Sequence, residues 1–129
     1  MKKLAAIILI LFLAACGGEK VHENISEDMV NDTNQILDIM DEAVESGNDL
    51  SDRDWDTFDS YYAKYNGKLE NPDATVGGLT EEEERLFILV SNIIEHPEFY
   101  YTLESDKEDY ANQKRTIQNV IETGEIYDK

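Results

Sequence analysis

One cysteine, two prolines and 11 basic residues are all that this 129-residue chain holds of those types. A lone Cys16 leaves no partner for an intrachain disulfide, so nothing covalent staples the fold. With proline only at positions 72 and 97, long stretches are free to run as helix. The scarcity of cations is set against 29 acidic residues, a formal charge of −18. Such a surface repels phosphate backbones and disfavours DNA or RNA as a partner. Reactive patterns are missing too. There is no Gly-x-Ser-x-Gly elbow, and Gly77-Gly78 lacks the Lys-Ser/Thr ending of a phosphate loop. His22 and His96 are the only histidines and form no spaced set with other zinc ligands. No stretch alternates with period two long enough to argue a strand.

What is present begins at the amino terminus. Lys2 and Lys3 open the chain, an apolar run follows over residues 4–13, and Leu13-Ala14-Ala15-Cys16-Gly17 closes it. The run is shorter than the roughly 20 apolar residues a membrane-spanning helix needs. Basic start, apolar stretch and small residues read as a secretory signal peptide. The Leu-Ala-Ala-Cys ending closely resembles the lipobox of bacterial lipoproteins. That resemblance covers residues 1–17 and implies a diacylglycerol on the sulfur of Cys16, removal of residues 1–15, and Cys16 as the new first residue. It implies no other cofactor. It places the protein outside the cytoplasmic membrane, anchored to the outer leaflet, or to the outer membrane of a diderm host.

A single acyl chain holds a protein only marginally, and stable anchoring takes two chains or one plus a basic patch. Residues 17–24 carry one lysine and no basic cluster, so the two chains of the glyceride must hold alone. Residues 16–24 read as a lipidated tether of short reach, roughly 15 Å for eight flexible residues. Removing Lys2 and Lys3 with the leader leaves 9 cations against all 29 acids, a mature charge of −20. The folded part therefore hovers near anionic headgroups without lying flat on them.

Residues 25–129 form the expected domain, all-α and a small bundle of about four helices. A hydrophobic fraction of 41% with Trp, Tyr and Phe argues for a real core. Ile25, Met29, Ile36, Met40, Ala43 and Val44 share one helical face, and Gly47 suits its left-handed end. Ser51 caps a second helix with Asp52 and Asp54 in its first turn; Trp55, Phe58, Tyr62 and Tyr65 recur along it, and Gly67 is its expected end. Residues 66–79 read as the longest loop. Thr80-x-x-Glu83 is a capping box opening a third helix, apolar nearly all round from Leu86 to Ile94 and thus expected at the centre of the core. Pro97 suits the start of a further helix. Phe99, Leu103, Tyr110, Ile117 and Ile121 fall on one face there, interrupted by Asp106-Lys107, which leaves one long helix or a short and a long one.

Candidate sites follow from residue type and spacing. Asp52-x-Asp54-x-Asp56 resembles the opening of a calcium loop, but Thr57 and Ala63 stand where the turn glycine and the bidentate glutamate belong. Asp52, Asp56 and Asp59 remain as weak metal candidates on one helical face, against the commoner reading of a solvated acidic face. Trp55, Tyr61, Tyr62 and Tyr101 are the candidate binding residues, Tyr61 and Tyr101 at the edges of their stripes; aromatic rings beside acids suit recognition surfaces, and core filling is the simpler alternative. The expected function is a non-catalytic, lipid-anchored module that binds another envelope or extracellular macromolecule. A prophage-type lipoprotein of superinfection exclusion and a small carboxylate-dependent envelope enzyme are the alternatives.

Overall fold

A computed structural model of the chain describes residues 20–71 and 77–127. Cys16 and the leader lie outside the described residues. The protein is all-α, as expected: α1 Glu27–Ser46, α2 Asp52–Glu70, α3 Glu81–Glu95, a 3-10 turn Pro97–Tyr100, and α4 Asp106–Thr123. Among the described residues no helix is long and apolar enough to cross a membrane.

Local chemistry sets the helix ends. Ser26, Ser51 and Thr80 each accept a hydrogen bond from a backbone amide of the first turn of α1, α2 and α3. Ser51 with Asp54, and Thr80 with Glu83, complete reciprocal capping boxes. Such caps are worth about 1 kcal/mol each. Gly47 and Gly124 end α1 and α4 in the left-handed conformation, at φ of 70° and 78°.

The helices run up, down, up and down. Asp32 of α1 meets Tyr65 of α2, Tyr62 of α2 meets Phe87 of α3, and Gln113 of α4 donates to the Leu89 carbonyl of α3. α1 and α3 each pack against both of the other helices. Met29, Ile36 and Met40 from α1, Phe58 and Tyr65 from α2, Leu86, Val90 and Ile93 from α3, and Ile117 and Val120 from α4 fill the interior. Burying each of these apolar chains contributes about 1.5–3 kcal/mol, which takes the place of disulfides in holding the fold.

Four expectations need correction. α2 does not stop at Gly67 but continues to Glu70, because Leu69 packs against the core and Lys68 sits over the Tyr65 ring, 5.5 Å from its centre. The loop expected over 66–79 is shorter by that turn. Ile88 is half exposed rather than buried, since the three other helices cannot surround every face of α3. Of the two forms open for the last segment the structure has the short and the long one, a 3-10 turn and then a helix; what needs correction is Phe99 and Leu103, placed in its core stripe by spacing but 63% and 62% exposed. Finally, the body begins before Ile25. The His22 amide donates to the Ile121 carbonyl at 2.7 Å, and Thr80 Oγ1 donates to the Asn24 carbonyl at 2.7 Å.

Candidate functional site

The up-and-down order gives the bundle two distinct ends. The near end gathers the start of α1, the start of α3 and the finish of α4. There Glu83 bridges two helix starts, Oε1 accepting from the Ser26 amide at 2.9 Å and Oε2 from the Thr80 amide at 3.1 Å. Arg85 donates to the Gly124 carbonyl at 3.0 Å, and the His22 ring lies against Gly124. A hydrogen bond from its own amide, another from Asn24, and the nearby His22 and Arg85 hold the Glu82 carboxyl below its ordinary range. The near end is thus closed by polar contacts that fix where the chain enters the fold.

The far end gathers the finish of α1, the start of α2, the finish of α3, the 3-10 turn and the start of α4. Trp55 lies one turn into α2, edge-on to Phe58 at 5.8 Å, and keeps 37% of its surface in water. Phe99 stacks on His96 at 4.9 Å and is otherwise exposed. Leu103 projects from the turn that Asp106 closes by accepting from the Leu103 amide at 2.7 Å. Tyr101 is half buried beside the Leu50 backbone; burial first, then the charges of Asp49 and Glu98, push its hydroxyl pKa up.

Of the aromatic residues singled out by spacing, Trp55 and Tyr62 lie on one face of α2 and both are partly exposed. Tyr61 is not at an edge. It is buried, with its hydroxyl 3.0 Å from Thr33 Oγ1, because α1 and α3 close over it, and it is no surface contact. Phe99 and Leu103 were missed as surface residues. The signal available was the His96-Pro97 break, which restarts the chain as a 3-10 turn and resets the helical phase before α4.

A groove of about 350 Å³ between α1 and α2 is lined by Asp32, Gln35, Arg53, Asp56, Ser60 and Lys64, among others. Two of its four charges pair with each other: Asp32 accepts from Lys64 at 2.8 Å, and also from Tyr65 at 2.6 Å. Burial pushes Asp32 up, but these hydrogen bonds and the Lys64 charge outweigh it and hold the carboxyl below its ordinary value. A general acid needs the opposite displacement. Burial and the hydrogen bond to Asp32 push the Tyr65 hydroxyl well up, so it acts as a donor. Among the described residues no three His, Cys, Asp or Glu side chains gather closely enough to share a metal ion. Asp52, Asp56 and Asp59 stay separate on the exposed side of α2.

Comparison with family models, with curated proteins and with solved structures yields no match for this chain.

Proposed function

We propose that this protein is a lipid-anchored, extracytoplasmic binding module, held by a diacylglycerol on Cys16 and presenting the far end of its bundle to another envelope or extracellular macromolecule. The reading has no catalytic step, and the covalent lipid is its only cofactor. The observation that carries it is the opposition of the two ends. The chain enters at His22, on the end tied by Glu83, Arg85 and Thr80, with Val21 and Tyr127 exposed beside it, whereas Trp55, Tyr101, Phe99 and Leu103 lie at the other.

Six residue steps separate Cys16 from His22, and a chain covers at most about 3.6 Å per step. The near end is therefore held within about 22 Å of the lipid, whatever path the chain takes. α1 has 20 residues and spans about 30 Å, so with the bundle upright the far end stands up to that much further from the bilayer. A surface of charge −20 keeps the body off anionic headgroups within a Debye length of about 8 Å. The exposed apolar side chains thus point to an aqueous partner rather than to lipid.

Two experiments test this. Cys16→Ser is expected to leave the membrane fraction or to persist as a precursor; a Cys16→Ser protein that stays membrane-bound at the mature mass contradicts the anchor. A photocrosslinking amino acid at position 103 is expected to trap one protein on intact cells, while one at Asn34, exposed on α1, traps none. Equal adducts from both positions contradict the far end as the binding face.

A further inference from the structure

We infer that the far end docks a cationic amphipathic segment of a partner protein, one in which Lys or Arg flanks apolar side chains; this rests on the far end being the binding face. Trp55, Phe99 and Leu103 are three of the large apolar groups left in water, and they share one end of the bundle; Tyr62 and Ile88 are exposed on its sides and Val21 and Tyr127 where the chain enters and leaves. Phe99 and Leu103 occupy the stretch between α3 and α4, where no further helix of the described residues covers them. Exposed aromatic groups rimmed by polar residues are the anatomy of a recognition surface.

The rim determines the sign of the partner. Residues 46–56 and 95–109, which build this end, contain ten acidic residues against Arg53 and Lys107. Lys107 is already paired with Glu104 at 2.9 Å. A partner that covers Phe99 and Leu103 must bring its own charge close to Glu98, the chain neighbour of Phe99, and to Asp106, which accepts from the Leu103 amide. Like charge there costs affinity, and opposite charge both steers the encounter and fixes the orientation. A second copy of this chain fails that test, as do an acidic peptide, an anionic bilayer and a nucleic acid. A basic segment with apolar side chains passes it, the apolar groups meeting Phe99 and Leu103 and the cations meeting the rim.

Trp55 is the only tryptophan in the sequence, so its emission reports on the start of α2 at this end. The experiment titrates the mature lipidated protein, held in nanodiscs of zwitterionic lipid, with a Leu/Lys amphipathic helical peptide and with its Leu/Glu counterpart. The Leu/Lys peptide is expected to give a saturable blue shift that weakens about tenfold when salt is raised from roughly 0.05 to 0.2 M. Phe99→Ser with Leu103→Ser is expected to lower that affinity at least tenfold, while Ile88→Ser, on a different exposed face, leaves it unchanged. These substitutions are at exposed positions, and circular dichroism verifies that helix content is retained. A Leu/Glu peptide that binds equally well and is lost with Phe99 and Leu103 overturns the cationic class but keeps the far end as the site. Leu/Lys binding indifferent to Phe99→Ser and Leu103→Ser, or no shift with either peptide, overturns the proposal. A concentration-dependent dimer abolished by the same two substitutions overturns it in favour of a second copy.

Discussion

Asp32 and Asp41 are nine residues apart on α1, two and a half turns, and perform the same task toward opposite neighbours. Asp32 accepts from Tyr65 Oη at 2.6 Å and Lys64 Nζ at 2.8 Å on α2. Asp41 accepts from Tyr110 Oη at 2.6 Å and Lys114 Nζ at 2.7 Å on α4. Each carboxylate pins the edge of α1 to an antiparallel helix through one hydroxyl whose ring is buried and one cation at the surface. In a chain so acidic, these pairs convert two of the repelling charges into interhelical contacts.

Tyr65→Phe and Tyr110→Phe each remove one hydroxyl donor and leave the lysine in place. Each is expected to lower stability by about 1–2 kcal/mol, the scale of a hydrogen bond to a charged group, discounted for partial exposure. The two sites lie more than 10 Å apart along α1, so the double variant should be additive within about 0.5 kcal/mol. Urea unfolding curves measure all three.

The pH dependence has opposite signs at the two ends of the scale. Asp32 is held below its ordinary 3.8 in the folded state, so its contribution is full above that value and is lost as pH falls through the lower folded value. The stability gap between the parent and Asp32→Asn should therefore be constant near neutrality and close in acid. Tyr65 and Tyr110 are displaced upward from 10.0, by burial first and then by the hydrogen bond to their aspartate. Their contribution is full below pH 10 and is lost as pH rises above it. Alkaline unfolding should begin above pH 10, with tyrosinate absorbance for these two rings appearing only with the unfolding transition.

Gly47 and Gly124 make a matched pair. Both end a helix at positive φ, but a Cβ on Gly47 meets nothing within 4 Å, whereas one on Gly124 would lie 2.8 Å from Glu82 Cγ and 3.1 Å from the His22 ring. Gly47→Ala should cost about 1 kcal/mol for the left-handed backbone alone. Gly124→Ala should cost more and should also release the latch at His22, seen as faster trypsin cleavage after Lys20.

Glu83 is the residue whose loss should be felt by two helices. It accepts from the amides that start both α1 and α3, and it is nearly buried. Glu83→Ala is expected to cost about 2–3 kcal/mol, against about 1 kcal/mol for Ser51→Ala, which disturbs α2 only. Thermal unfolding of the two variants compares them directly.

The sequence made the helices legible because their signals are local. Ser51, Thr80 and Glu83 act on amides within one turn, and Met29, Ile36 and Met40 need only a period of 3.6 to declare an inner face. Tyr61 was legible as a helical residue but not as a buried one, because what buries it is Thr33 from α1 and Phe87 from α3. Phe99 and Leu103 failed for a different reason. Their spacing matches Tyr110 and Ile117 only if one helix runs through all four, and the 3-10 turn after Pro97 breaks that phase. The latch at His22 depends on the Ile121 carbonyl, ninety-nine residues away in sequence, and no nearby residue type announces it. Gly67 misled because a glycine ends a helix only where φ must turn positive, and here the backbone stays helical.

The most direct test is the intact mass of the protein extracted from membranes, with fragmentation of its amino-terminal peptide. The account predicts a chain that starts at Cys16, shortened by residues 1–15, with a diacylglyceryl thioether on the sulfur. A full-length chain carrying a free thiol at Cys16 would contradict it.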